Sequence, residues 1–148
     1  MNVSDFLAPA AVMTDVAAAD KRQLLQELAH KAASMMPVSS DRVLSELVKR
    51  EELGSTAMGG GMAIPHARMQ QVDKPLGLLV RLKRPIDFDA VDSKPVDIVF
   101  LLLLPETPGG EPLGALASIS RKLRDPAIAA AVRGARDRAE IYRRLISD

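Results

Sequence analysis

His66 is one of only two histidines in the chain, and it sits in an unusual setting. The stretch reads Gly59-Gly60-Gly61-Met62-Ala63-Ile64-Pro65-His66-Ala67-Arg68. Glycines admit backbone angles closed to other residues and let a second segment approach closely. Proline fixes its own φ and holds the residue before it extended. Such a frame presents an imidazole at a defined point instead of packing it away. A neutral imidazole offers a lone pair near physiological pH, which opens nucleophilic and general-base chemistry. Arg50 and Arg68 are the candidate cations nearby. Local physics leaves a second reading open, an exposed turn histidine without a chemical role. His30 reads differently. It lies beside Lys31 on the polar face of a predicted helix, with Glu27 and Ser34, as a solvated surface residue.

Other chemistries fail on residue type or spacing. No H-x-x-x-H or H-E-x-x-H pattern supplies a metal site. A Ser-His-Asp set can be assembled on paper from Ser55, His66 and Asp73, but no nucleophile-elbow sequence accompanies it. The glycine run lacks the G-x-G-x-x-G spacing of a dinucleotide site and the G-K-[ST] ending of a P-loop. Cysteine is absent, which excludes disulfides and thiol catalysis and suits a reducing compartment. No metal or cofactor is expected.

The elements that carry these residues can be read from periodicity. Residues 20–36 read as an amphipathic helix with Asp20 as cap, Gln23 at the capping-box position, and Leu24, Leu25, Leu28, Ala32 and Met36 on one face. Pro37 stops it. A second helix starts at Ser40 or Asp41 and runs through Arg50, with Val43, Leu44, Leu47 and Val48 inward and Gly54 as its C-terminal cap. Residues 76–82 (LGLLVRL) and 96–104 (VDIVFLLLL) read as strands, the second buried on both faces. Between them Ile86 and Phe88 are read as a short edge strand. Residues 105–110 read as a loop. A third helix spans about 112–124, Asp125-Pro126 opens a fourth, and Asp137 with Glu140 caps a fifth. The order predicts an α/β sandwich of one domain over 1–148, a mixed sheet of about five strands flanked by helices.

Composition bounds the partners. Of 148 residues 47% are hydrophobic and 26% charged, the balance of a soluble globular domain. Twenty basic and 19 acidic residues leave no long-range field to draw in nucleic acid or anionic lipid. Aromatics are 3%, too few for a stacking platform. The apolar run at 98–104 is too short to span a bilayer, and the first residues lack a signal peptide, so membrane insertion is not expected and the cytoplasm is.

One longer block carries a resemblance. The run from Arg50 to His66, REELGSTAMGGGMAIPH, resembles the active-site signature of the IIA domains of the bacterial phosphoenolpyruvate-dependent phosphotransferase system, mannitol/fructose type. The block RPIDFDAVDSKPVDIVFLLLLP is similar to the strand pair that follows the site in that family, with wording nearest the nitrogen-regulatory branch. The resemblance spans nearly the whole chain. It implies that His66 is the phosphoryl acceptor, that Arg50 stabilises the phosphoryl oxygens, and that the donor is the histidine-phosphocarrier protein of a nitrogen-type system. It implies a phosphotransferase component with a phosphohistidine intermediate, whose output is control of target proteins such as transporters or sensor kinases. Ser55 and Thr56 could donate hydrogen bonds to a bound phosphoryl group. Their alternative is a capped turn after the second helix.

Three positions depart from the family pattern. Pro112 stands where a second active-site histidine is common, and proline offers no donor. Ala67 replaces a usual Gly, and Gly60 a frequent Asn. Pro112 therefore predicts slow phosphorylation. It also keeps open a degenerate IIA that regulates by binding alone. A sugar-specific mannitol/fructose IIA is a third reading, weakened because no fused IIB or IIC portion is read in the chain.

Overall fold

The computed structural model describes residues 1–106 and 111–147, with only the helical backbone at 111–113. The loop read at 105–110 thus lies mostly outside the described residues, as does the side chain of Pro112. The elements in chain order are β1 (Val12–Val16), α1 (Lys21–Met35), α2 (Ser40–Glu52), β2 (Ala57–Gly59), β3 (Met62–Ala63), β4 (His66–Met69), β5 (Leu76–Ile86), β6 (Val96–Pro105), α3 (Glu111–Arg124), α4 (Pro126–Gly134) and α5 (Arg138–Ile146).

The helix boundaries follow their caps. Asp20 accepts the Gln23 N–H at 2.8 Å and opens α1, and Ser39 accepts the Arg42 N–H and opens α2. Asp125 and Asp137 open α4 and α5 in the same way. The return bond of the expected capping boxes reaches one residue further back. Gln23 and Glu140 accept from the N–H groups of Ala19 and Arg136.

The sheet runs β1-β5-β6-β3-β2, with β4 pairing β6 beyond β3. Central β6 is antiparallel to β5 and parallel to both β3 and β4. Every β6 residue except Asp97 is buried, as its unbroken apolar run requires. α1 and α2 pack on each other and against β5 and β4, while α3, α4 and α5 form a second packed group against β6 and β1. The result is the mixed α/β arrangement expected, with six strands.

Two local expectations are corrected. Residues 12–16 form a strand that the periodicity did not show. Asp15 takes φ +56°, the register with β5 shifts across it, and only pairing with β5 makes the segment a strand. The separate edge strand at Ile86 and Phe88 does not form. Ile86 ends β5 and pairs with Val96, and Phe88 is buried in the following loop. Gly77 shows why β5 holds a glycine near its start. Its N–H bonds the Phe6 carbonyl at 2.6 Å, and a Cβ there would stand 2.6 Å from the Phe100 ring.

Candidate functional site: a histidine and an arginine across one cleft

His66 opens β4 opposite Leu102 of β6, and the Leu102 N–H bonds the Pro65 carbonyl at 3.0 Å. Its Nδ1 lies 2.9 Å from the Ile64 carbonyl oxygen. A carbonyl only accepts, so in the neutral ring the proton sits on Nδ1. Nε2 then keeps its lone pair. The residue is half-buried, and the structure thus presents the unprotonated nitrogen of a fixed tautomer.

The three glycines make the hairpin between β2 and β3. Gly59 pairs with Met62, and the two loop residues Gly60 and Gly61 have φ +66° and +82°. Two positive φ values in a two-residue loop mark a type I′ turn, which favours glycine. The turn is tied from both sides. Arg133 of α4 donates from Nη2 to the Gly60 carbonyl at 2.6 Å and grips Asp97 with Nε and Nη2. Asp92 accepts the Gly60 N–H at 3.0 Å. The Lys94 N–H first and the Gly60 N–H second hold the Asp92 carboxyl below the usual carboxylate range.

Arg50 lies in the last turn of α2 and donates from Nη1 to the Gly54 carbonyl at 2.9 Å. It shares with His66 an open cleft of about 350 Å³, whose other walls are Glu46, Lys49, Leu53, Ala67 and Arg68. Three cations against one carboxylate make this cleft attractive to an anion. Leu53 stands 85% exposed at its edge. A cleft of similar size opens among Met1, Ser118, Arg121, Lys122 and Asp125, but neither histidine lines it.

Ser55 and Thr56 are not among the cleft walls. Ser55 donates from Oγ to the Phe88 carbonyl at 2.6 Å and accepts the Ala57 N–H, as a turn residue does. Thr56 is buried, and its hydroxyl and N–H both reach the Glu51 carboxylate. Glu51 follows Arg50 in the run REELGSTAMGGGMAIPH, and the sequence assigns it no role. Its side chain is 6% exposed and pairs with Lys21 at 2.9 Å. Lys21 comes from the start of α1, and nothing local in the sequence marks it for this site. His30 is exposed on α1. Among the described residues no three of His, Cys, Asp and Glu converge as metal ligands, and no helix is long and apolar enough to cross a membrane.

His66 and Arg50 line the same cleft, and an imidazole lone pair with a guanidinium beside it suits a nucleophile that receives a charged, oxygen-rich group. Comparison with known proteins gives the family. Residues 5–148 match the family model described as phosphoenolpyruvate-dependent sugar phosphotransferase system, EIIA 2. A nitrogen regulatory protein of Bradyrhizobium diazoefficiens is 47% identical over 142 residues, 96% of this chain and 93% of that protein. A protein of the same name from Pseudomonas aeruginosa is 34% identical over 99% of this chain and 88% of its own length. The crystal structure of nitrogen regulatory protein IIA-Ntr from Neisseria meningitidis superposes with a TM-score of 0.91 at 31% identity, covering 97% of this chain and 98% of that one. The mannitol IIA of Escherichia coli shares the fold, with a TM-score of 0.77 at 16% identity over 93% of this chain and 97% of its own. The chain therefore belongs to the EIIA type 2 family of the phosphotransferase system, among relatives named nitrogen regulatory protein.

Proposed function

We propose that this chain accepts a phosphoryl group on Nε2 of His66 from a histidine-phosphocarrier protein of the nitrogen-type system and controls target proteins according to its phosphorylation state. The observation that supports this reading most is the 2.9 Å contact of Nδ1 with the Ile64 carbonyl, which leaves Nε2 as the nucleophile. In the transfer, the Nε2 lone pair forms the new N–P bond while the old N–P bond breaks and its pair returns to the donor ring. Positive charge develops on the His66 ring, and the Ile64 carbonyl steadies the Nδ1–H. The transition state is loose and charge-rich, so catalysis is mostly positioning and positive charge. Arg50 supplies a planar fork for the phosphoryl oxygens, with Lys49 and Arg68 at the edge of the cleft. A direct role for Ser55 or Thr56 requires their hydroxyls to leave Phe88 and Glu51 on phosphorylation.

Phosphorylation adds about two negative charges to this cleft. A target that docks on the exposed Leu53 and the neighbouring cations meets a different surface in each state. The mannitol IIA of Escherichia coli, which shares this fold, has been solved in complex with phosphorylated mannitol IIB of that organism.

Pro112, in the first turn of α3, favours a second reading. If it costs one charge-assisted contact of about 1.5–3 kcal/mol, transfer slows by roughly tenfold to over a hundredfold. A chain slowed further would regulate by binding alone. Intact-mass measurement after incubation with phosphoenolpyruvate, enzyme I and the phosphocarrier separates the two. One acid-labile phosphoryl adduct is expected. Its absence, with the carrier shown to be phosphorylated, leaves the binding reading.

A further inference from the structure

Three segments meet at one carboxylate: α2, which carries Glu51, the start of α1, and the turn that follows α2. Glu51 ends α2, and its buried side chain takes the Lys21 ammonium from α1 at 2.9 Å on Oε1. The Thr56 N–H reaches the same oxygen at 3.1 Å, and the Thr56 hydroxyl donates to Oε2. Lys21 also stands 4.6 Å over the Phe88 ring and 3.4 Å from Asp89 in the loop after β5. Ser55 binds that loop through the Phe88 carbonyl.

From Thr56 the hydrogen bonds run to both reacting groups. The Ile64 N–H donates to the Thr56 carbonyl at 3.1 Å, and the Ile64 carbonyl is the acceptor that fixes His66 Nδ1. In the other direction, Gly54 donates its N–H to the Glu51 carbonyl at 3.1 Å and accepts from Arg50 Nη1. The turn 53–56 is thus held at one end by the helix and at the other by the Glu51 carboxylate. Arg50 and His66 are anchored to that same turn.

We infer that Glu51, through Thr56, is a positioning residue that sets Arg50 against His66. It touches neither the cleft nor the incoming group. This rests on the reading of His66 as phosphoryl acceptor. A buried carboxylate satisfied by three donors from two segments is a rigid reference point. Its neutral isostere keeps the shape but accepts fewer of those bonds. Misplacement by about 1 Å can cost a hundredfold in rate.

The test is single-turnover transfer from the phosphorylated carrier to wild type, Glu51→Gln, Thr56→Val and the double variant, with urea unfolding in parallel. Each single variant should lose about 10- to 100-fold in the maximal transfer rate. The KM for the carrier should stay within about twofold, because the docking surface is untouched. The two losses should not add, since both break one link, and Thr56→Ser should restore most of the rate lost in Thr56→Val. Rates at the wild-type value, or additive losses, would overturn the inference. Additivity would instead mark Thr56 as a direct phosphoryl contact. The relaxation of the Arg50 Nε–H signal in the free protein serves as a second readout. It should show a more mobile guanidinium in Glu51→Gln, and an equally rigid one overturns the inference. That signal does not need phosphorylation, so a wild type that takes no phosphoryl group defeats the acceptor reading alone.

Discussion

The two sides of the cleft are built by different means. His66 is placed by main chain: a glycine turn, a proline, the ladder to β6 and a bond to its own Ile64 carbonyl. Arg50 is placed by one bond to the carbonyl of Gly54, in a turn that the side chains of Lys21, Glu51 and Thr56 brace, and of these Lys21 comes from far along the chain. The first kind of construction rests on backbone dihedrals and ladder bonds. The second fails when one partner is lost. A nucleophile must hold one tautomer, which a backbone carbonyl secures. A guanidinium must close on oxygens that arrive with the donor, which a side-chain anchor allows.

Substitutions can break that contrast, beginning with the groups themselves. His66→Ala should lose the phosphoryl adduct entirely, read by intact mass, while urea unfolding stays cooperative. A persisting adduct would move the acceptor elsewhere. Arg50→Ala removes charge-assisted bonds of about 1.5–3 kcal/mol and should slow single-turnover transfer roughly 10- to 150-fold. Arg50→Lys should recover only part of it, because a point charge lacks the fork. An unchanged rate in Arg50→Ala would assign the phosphoryl contact to Lys49 or Arg68 instead.

The main-chain side should respond in stability more than in rate. In Gly61→Ala the new Cβ would meet Arg133 Nη2 at 2.7 Å and Asp97 Oδ1 at 3.2 Å, on a backbone at φ +82°. Urea unfolding should show a loss of about 1–3 kcal/mol, with a smaller rate effect than Arg50→Ala. The smallest effect is expected for Gly60→Asn. Its φ of +66° suits asparagine, and a Cβ would find only Met62 Cε at 3.5 Å. Stability should move by no more than about 0.5 kcal/mol. A larger loss would show that the turn is less tolerant than its ties to Arg133 and Asp92 imply.

Much of this is legible in the sequence. The caps at Asp20, Asp125 and Asp137, the apolar faces of α1 and α2, and the doubly buried β6 all leave local marks, because a helix cap or a buried strand depends on a few adjacent residues. The presentation of His66 belongs to the same class. Glycine turn, proline and histidine are contiguous, and their dihedral limits are properties of the chain itself.

What escaped was everything that needs a partner far along the chain. β1 is a strand only because β5 lies beside it. Ile86 extends β5 because Val96 is opposite, which no reading of turn residues reveals. The largest gap was at the site. Ser55 and Thr56 read as phosphoryl donors or as a capped turn; the fold gives Ser55 the turn bond to Ala57 and ties the two hydroxyls to Phe88 and Glu51, partners the sequence does not show. Lys21 carries no sign of its part in that network, and the glycine turn says nothing of Arg133. Backbone restraints and hydrophobic period are written in neighbouring residues. Which charge meets which carboxylate is settled when helices and loops dock, because the pairing exists only across that packed interface.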